Sequence, residues 1–145
     1  MALDIVGDKW NIEVIRVGQC LISRKLRDSV RIVNGKLWSN MKAVGGPLTE
    51  LMFLLQVEQE SARIWRAHEI AMNDRAIKKL VRKARRIEGL STLYLEEQDG
   101  NRYYYWSIYS YKNYDEPKDS WQATHRIEVD LENKATKIIA QHREN

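Results

Sequence analysis

Hydrophobic and polar positions divide the chain into three stretches. In the first, Trp10 to Val17 (WNIEVIRV) sets Ile12, Val14 or Ile15, and Val17 in β-rich company. A second run, Ser29 to Trp38, holds Asn34-Gly35 between Val30-Arg31-Ile32-Val33 and Lys36-Leu37-Trp38. Asn-Gly suits the primed two-residue turn, whose central positions both need positive φ, so this pattern predicts a hairpin centred on Asn34 and Gly35. Residues 1–45 therefore read as a strand-rich N-terminal extension.

Gly45-Gly46-Pro47 then punctuates the chain, with proline suited to the first turn of a helix, where its missing N–H costs nothing. Leu48, Leu51, Met52, Leu54, Leu55 and Val57 follow at helical spacing and predict a short, largely buried helix ending near Gln59 or Glu60. Ser61 is placed to cap a second helix, with Ile64, Ala67, Ile70 and Ala71 inward. Asn73 or Asp74 caps a third. There Ile77, Leu80, Val81 and Ala84 form the core stripe, and Gly89 ends the helix.

The last stretch alternates with a period of two. Leu90 to Glu96 and Arg102 to Tyr111 flank the turn Gln98-Asp99-Gly100-Asn101, again a hairpin signal. RYYYWSIYSY carries aromatic residues on both faces, which calls for cover on one side and a partner or water on the other. A structural role is the first reading of these aromatics; Tyr103, Tyr105 or Tyr109 on an open face would suit base stacking. A polar connection around Pro117 leads to a C-terminal hairpin, Thr124 to Leu131 against Ala135 to Ala140, within residues 121–141.

Composition adds limits. At 145 residues, with 43% apolar and 30% charged residues, the chain has the make-up of one folded domain. No apolar run is long enough to span a bilayer, and the first residues lack a basic region followed by an apolar one, so no membrane partner and a cytoplasmic location are expected. Cys20 is the only cysteine, and His68, His125 and His142 form no ligand-spaced pair, so neither metal nor cofactor is expected. The acidic residues are scattered, no serine has an identifiable base and no glycine-rich loop precedes a lysine; the chain reads as a non-enzyme.

Charge placement changes the picture most. The net charge is only +4, yet Arg75 to Arg86 (RAIKKLVRKARR) carries seven cations and no carboxylate, leaving the remainder at −3. A concentrated basic face of this kind fits contact with phosphate.

Ala67 to Leu80 (AHEIAMNDRAIKKL) resembles a helix-turn-helix core: Ala67 matches the small residue where the helices cross, Ala71 the turn, and Ile70, Met72, Ile77 and Leu80 the buried positions. With the strands that follow, residues 46–111 resemble a winged helix-turn-helix domain of the MarR-like and related DNA-binding regulators. The turn position is often glycine in that family, and here it is Ala71. The resemblance implies an α+β fold: a winged helix-turn-helix core with extra strands or hairpins at both ends. It also implies double-stranded DNA as partner, in transcription regulation or replication initiation.

Asn73, Arg75, Lys78, Lys79 and Arg82 would then face the groove, Lys83, Arg85 and Arg86 the phosphate backbone, and Arg102 with Asn101 the wing tip. Glu96, Glu97 and Asp99 make that tip acidic. His68 reads as a surface histidine, with phosphate contact the lesser option. A homodimer on two half-sites fits the resemblance, as does a protein partner on the strand-rich flanks. The competing reading is a winged-helix adaptor whose basic face meets a protein or RNA.

Overall fold

The computed structural model describes residues 1–16, 23–88, 90–110 and 121–141. Its architecture is α+β, with four helices followed by a four-stranded antiparallel sheet. The helices are α1 (Ala2–Lys9), α2 (Arg24–Gly45), α3 (Thr49–Asn73) and α4 (Arg75–Glu88). The strands β1 (Leu90–Asp99), β2 (Arg102–Ser110), β3 (Trp121–Asp130) and β4 (Ala135–Gln141) form a meander in sequence order. The packing divides into two compact units, Met1–Ser61 and Ala62–Asn145.

The helical unit is built around aromatic rings. Phe53 is buried, with the Trp10 ring edge-on at 5.5 Å and the Trp38 ring tilted at 5.2 Å. Such pairs add stabilisation beyond their buried area. The indole N–H of Trp10 donates to Gln56 Oε1 at 2.7 Å, so the polar edge of the half-buried ring is satisfied. Nearby, Gly7 packs so closely that a Cβ there would lie 2.8 Å from the carbonyl oxygen of Ile12. The buried Glu60 carboxylate lies 3.6 Å from Lys9 Nζ. Lys42 pairs with Glu50 across the turn between α2 and α3, where Gly46 takes φ +89°, a conformation that L side chains rarely adopt.

Here the strand expectation fails. Residues 24–45 are one 22-residue helix, and the hairpin at Asn34-Gly35 does not exist. Leu26, Val30, Val33, Leu37 and Val44 recur at steps of three, four and seven, a helical stripe that alternation cannot produce. Ser23 starts the helix, its Oγ accepting from the Leu26 N–H at 3.2 Å. These terms outweigh a turn dipeptide whose glycine costs a helix about 1 kcal/mol. Residues 12–16 have no regular structure, and Val17 lies outside the described residues.

The two helices expected over residues 48–72 are one. Ser61 lies inside α3 and caps nothing; its hydroxyl donates to the Val57 carbonyl at 2.8 Å. Serine can bond back to the preceding turn in this way and stay helical. Leu48, Leu51, Met52, Leu54 and Leu55 are not buried: each is 47–62% exposed. Their periodicity reports helix correctly, but no residue described in the chain covers them.

The sheet unit follows expectation more closely. Leu93, Leu95, Tyr103, Tyr105, Ile127 and Val129 are all buried, at alternate positions of β1, β2 and β3, and so share one face. Opposite them the helices supply Ala67 and Ala71 from α3 and Ile77 and Val81 from α4, all buried. The Tyr105 hydroxyl donates to the Ile64 carbonyl at 3.0 Å, tying β2 to α3, and burial raises its pKa well above the ordinary phenol range. The expected C-terminal hairpin is present as β3 and β4, and it continues the β1–β2 sheet. Tyr111, the connection around Pro117 and the Gly89 helix end lie outside the described residues.

The other sheet face is polar and aromatic. Arg126 on β3 lies over the Tyr104 ring at 4.9 Å and reaches β1, its Nε donating to Glu96 at 2.6 Å and its Nη2 to Glu97 at 2.9 Å. Burial opposes the charge on Glu96, but bonds from Trp106 and Arg126 outweigh it and leave the pKa lowered. Glu96 is the extra residue of a bulge in β1, where the register steps from Leu95 to Glu97.

Candidate functional site

The densest basic feature is α4. Its start is set by Asp74, the single residue between α3 and α4. Asp74 Oδ1 accepts from the N–H groups of Ala76 at 2.7 Å and Ile77 at 3.0 Å, satisfying donors that the first helical turn leaves open. Oδ2 accepts from Thr136 Oγ1 at 2.7 Å, fixing the corner to β4. The Thr136 bond, then the backbone bonds, hold the Asp74 carboxyl below its usual pKa.

From that fixed start, Ile77 and Val81 turn into the core while Arg75, Lys79 and Arg82 are exposed. At 100° per residue, Arg75, Lys79 and Arg82 fall within a narrow stripe opposite the core side, spanning about 10 Å along the axis. Lys78, half-buried, and Lys83, exposed, flank it. The backbone puts Arg85 and Arg86 in the last turns of α4; their side chains lie outside the described ones. None of Arg75, Lys78, Lys79, Arg82 and Lys83 forms an ion pair among the described residues. Asn73 is exposed as the last residue of α3, at the same corner.

The tip between β1 and β2 differs from α4. Arg63 of α3 donates to the Gly100 carbonyl at 2.8 Å and to Asn101 Oδ1 at 2.7 Å. Asn101 is thus engaged within the chain. Arg102 faces Glu128 at 3.8 Å, and its pKa is raised by a bond to Tyr104 and by the Glu128 charge. The structure therefore groups Asn73 and the α4 cations along one helix and its start, with Arg102 on a separate strand and already paired.

The other candidates have packing partners. Tyr103 and Tyr105 are buried, as the structural reading of the aromatic strand expects; the side chain of Tyr109 lies outside the described ones. His68 stacks on Trp65 at 6.1 Å and meets the edge of Tyr105 at 6.3 Å. His125 and Ser107 are cross-strand neighbours on the covered sheet face, and burial lowers the histidine pKa. Ser107 Oγ and His125 Nδ1 are both buried without a hydrogen bond, so no bond couples them as nucleophile and base. Among the described residues no cluster of His, Cys, Asp and Glu could hold a metal, and no helix is long and apolar enough to cross a membrane.

Sequence reasoning missed Arg63 and Thr136, whose partners lie 38 and 62 residues away. No local pattern signals such pairings. Comparisons with protein-family models, with curated proteins and with solved structures find no match to this chain.

Proposed function

We propose that the protein binds a double-stranded nucleic acid, DNA in the first instance, through the exposed face of α4. The observation that carries this reading is the row of Arg75, Lys79 and Arg82, flanked by Lys83, with no carboxylate in the helix before Glu88 and no ion pair from these cations among the described residues. Aligned cations repel one another, and a polyanion relieves that repulsion. Arg75, Lys79 and Arg82 are the groove-facing candidates, and Lys83, Arg85 and Arg86 the phosphate contacts.

The finer fold reading is a winged helix-turn-helix formed by the second half of α3, α4 and the β1–β2 ribbon. Its support is the order of helix, one-residue break, basic helix and antiparallel ribbon, with Ala67 and Ala71 of α3 buried. In this version the ribbon tip holds shape rather than reading bases, because Arg63 occupies Asn101 and the flanking Glu96, Glu97 and Asp99 repel phosphate.

Fluorescence anisotropy with a mixed-sequence duplex, titrated at low and moderate salt, tests the reading. Micromolar binding that weakens with salt is expected. Replacing Lys79 and Arg82 by alanine should weaken binding about tenfold and flatten the slope of log K against log salt by roughly 2, at about 0.9 for each phosphate no longer neutralised. An intact protein that ignores duplex DNA at low salt would refute DNA binding; binding to duplex RNA or to an acidic protein would reassign the face.

A further inference from the structure

Among its described residues the helical unit leaves two apolar stripes exposed. Among the residues of α2, Leu26, Val33, Leu37 and Val44 stay 36–92% exposed along one stripe, and no residue of the helix is buried. The following segment repeats the pattern: Leu48, Leu51, Met52 and Leu55, at helical i, i+3, i+4, i+7 spacing, are 47–62% exposed on a side of α3 that buried Phe53 does not share. Isolated helices are marginal in water unless an apolar face is packed, so such stripes call for cover.

We infer that a second copy of this chain covers them, with α2 of each copy lying on the Leu48–Leu55 stripe of the other. Charge selects this occupant. Helix α2 carries six basic residues and one acidic, a net of +5, whereas residues 49–61 carry no cation and expose Glu58, Glu50 being paired with Lys42 and Glu60 buried beside Lys9. Two α2 helices side by side would repel. Crossing each α2 onto the acidic segment of the other copy pairs unlike charges twice under one two-fold axis, which a self-complementary interface requires.

Area supports the same occupant. Eight apolar side chains, about half exposed on average, present on the order of 800 Å² per copy, which is what each partner contributes to a standard stable interface. The spacing of Leu26, Val30, Val33, Leu37 and Val44 is that of a helix seam in a bundle. None of this depends on α4 or on nucleic acid.

Light scattering on the full chain after gel filtration, freed of nucleic acid, should give twice the 17.1 kDa chain mass at tens of micromolar. Val33→Glu and Leu51→Glu should each weaken the dimer at least about 100-fold, since each puts a charge into a buried seam. Ile32→Glu, exposed on α2 but off the stripe, should leave it intact. A second measurement fixes the pairing whatever those variants do to folding. With Cys20 replaced by serine, Leu37→Cys and Leu51→Cys chains mixed with a short bis-maleimide should cross-link to each other more than either does to itself.

A monomeric wild type, a dimer indifferent to both glutamates, or preferential Leu37→Cys self-linking would overturn the inference. So would a monomer that instead binds anionic lipid vesicles through the same stripe.

Discussion

The two units reach opposite balances between apolar surface made and apolar surface covered. In the sheet unit, alternation along β1 to β3 puts six apolar side chains on one face, and α3 and α4 close over it with Ala67, Ala71, Ile77 and Val81. In the helical unit one aromatic cluster at Phe53 holds the chain together, while both long stripes stay open. The difference teaches that helical periodicity tells which side chains share a face, but not whether the same chain supplies the cover. Leu51 and Ile77 both fall on helical stripes, and only Ile77 is buried.

The sharpest way to break this comparison is Phe53→Ala. Removing the one buried aromatic of the helical unit should cost about 3–5 kcal/mol there. Circular dichroism should lose helical signal while amide exchange in β1 to β3 stays slow. Equal loss of protection in both units would mean that they fold as one, and the contrast would fall.

Asp74→Ala probes the sheet unit at its corner and should cost about 1–2 kcal/mol in denaturant melts, with Asp74→Asn milder because asparagine also caps. The pH dependence has a definite sign. The Asp74 pKa is lowered on folding, so its contribution is present above the ordinary aspartate range and is lost as pH falls through the folded value. The gap between wild type and Asp74→Ala should therefore be full at neutral pH and shrink below about pH 4. A gap that does not change with pH would remove the charged cap from the account.

Tyr105→Phe is the mildest test. It deletes the hydroxyl bonded to the Ile64 carbonyl while keeping the ring, and should cost about 1 kcal/mol by thermal or urea unfolding. A neutral effect would leave packing alone to hold β2 against α3.

What could be read from the residues alone divides along the same line. Helix α4, its Asp74 cap, the β1–β2 turn and the β3–β4 hairpin depend on neighbours within a few positions, and each is found. The basic face of α4 was legible for the same reason: one helix carries all of it. Helix α2 was not, because Asn34-Gly35 is a strong local turn signal and the stripe that overrides it extends from Leu26 to Val44. The fusion of two expected helices into α3 has a similar cause, since Ser61 fits a cap until its hydroxyl is seen to bond back to Val57. The occupation of Asn101 by Arg63 was hidden because it joins distant segments.

The bulge at Glu96 has a consequence for how copies of this chain meet. β1 and β4 are the outer strands of the sheet, and an outer strand offers unpaired N–H and C=O groups to any passing strand. In β1 the bulge breaks the regular repeat that an incoming strand would need, and Arg126 pins two carboxylates beside the break. On β4, Lys137 adds a charge to the other margin. The sheet is thereby guarded against edge-to-edge polymerisation into fibrils, a safeguard the helices do not need because their own backbones satisfy their hydrogen bonds.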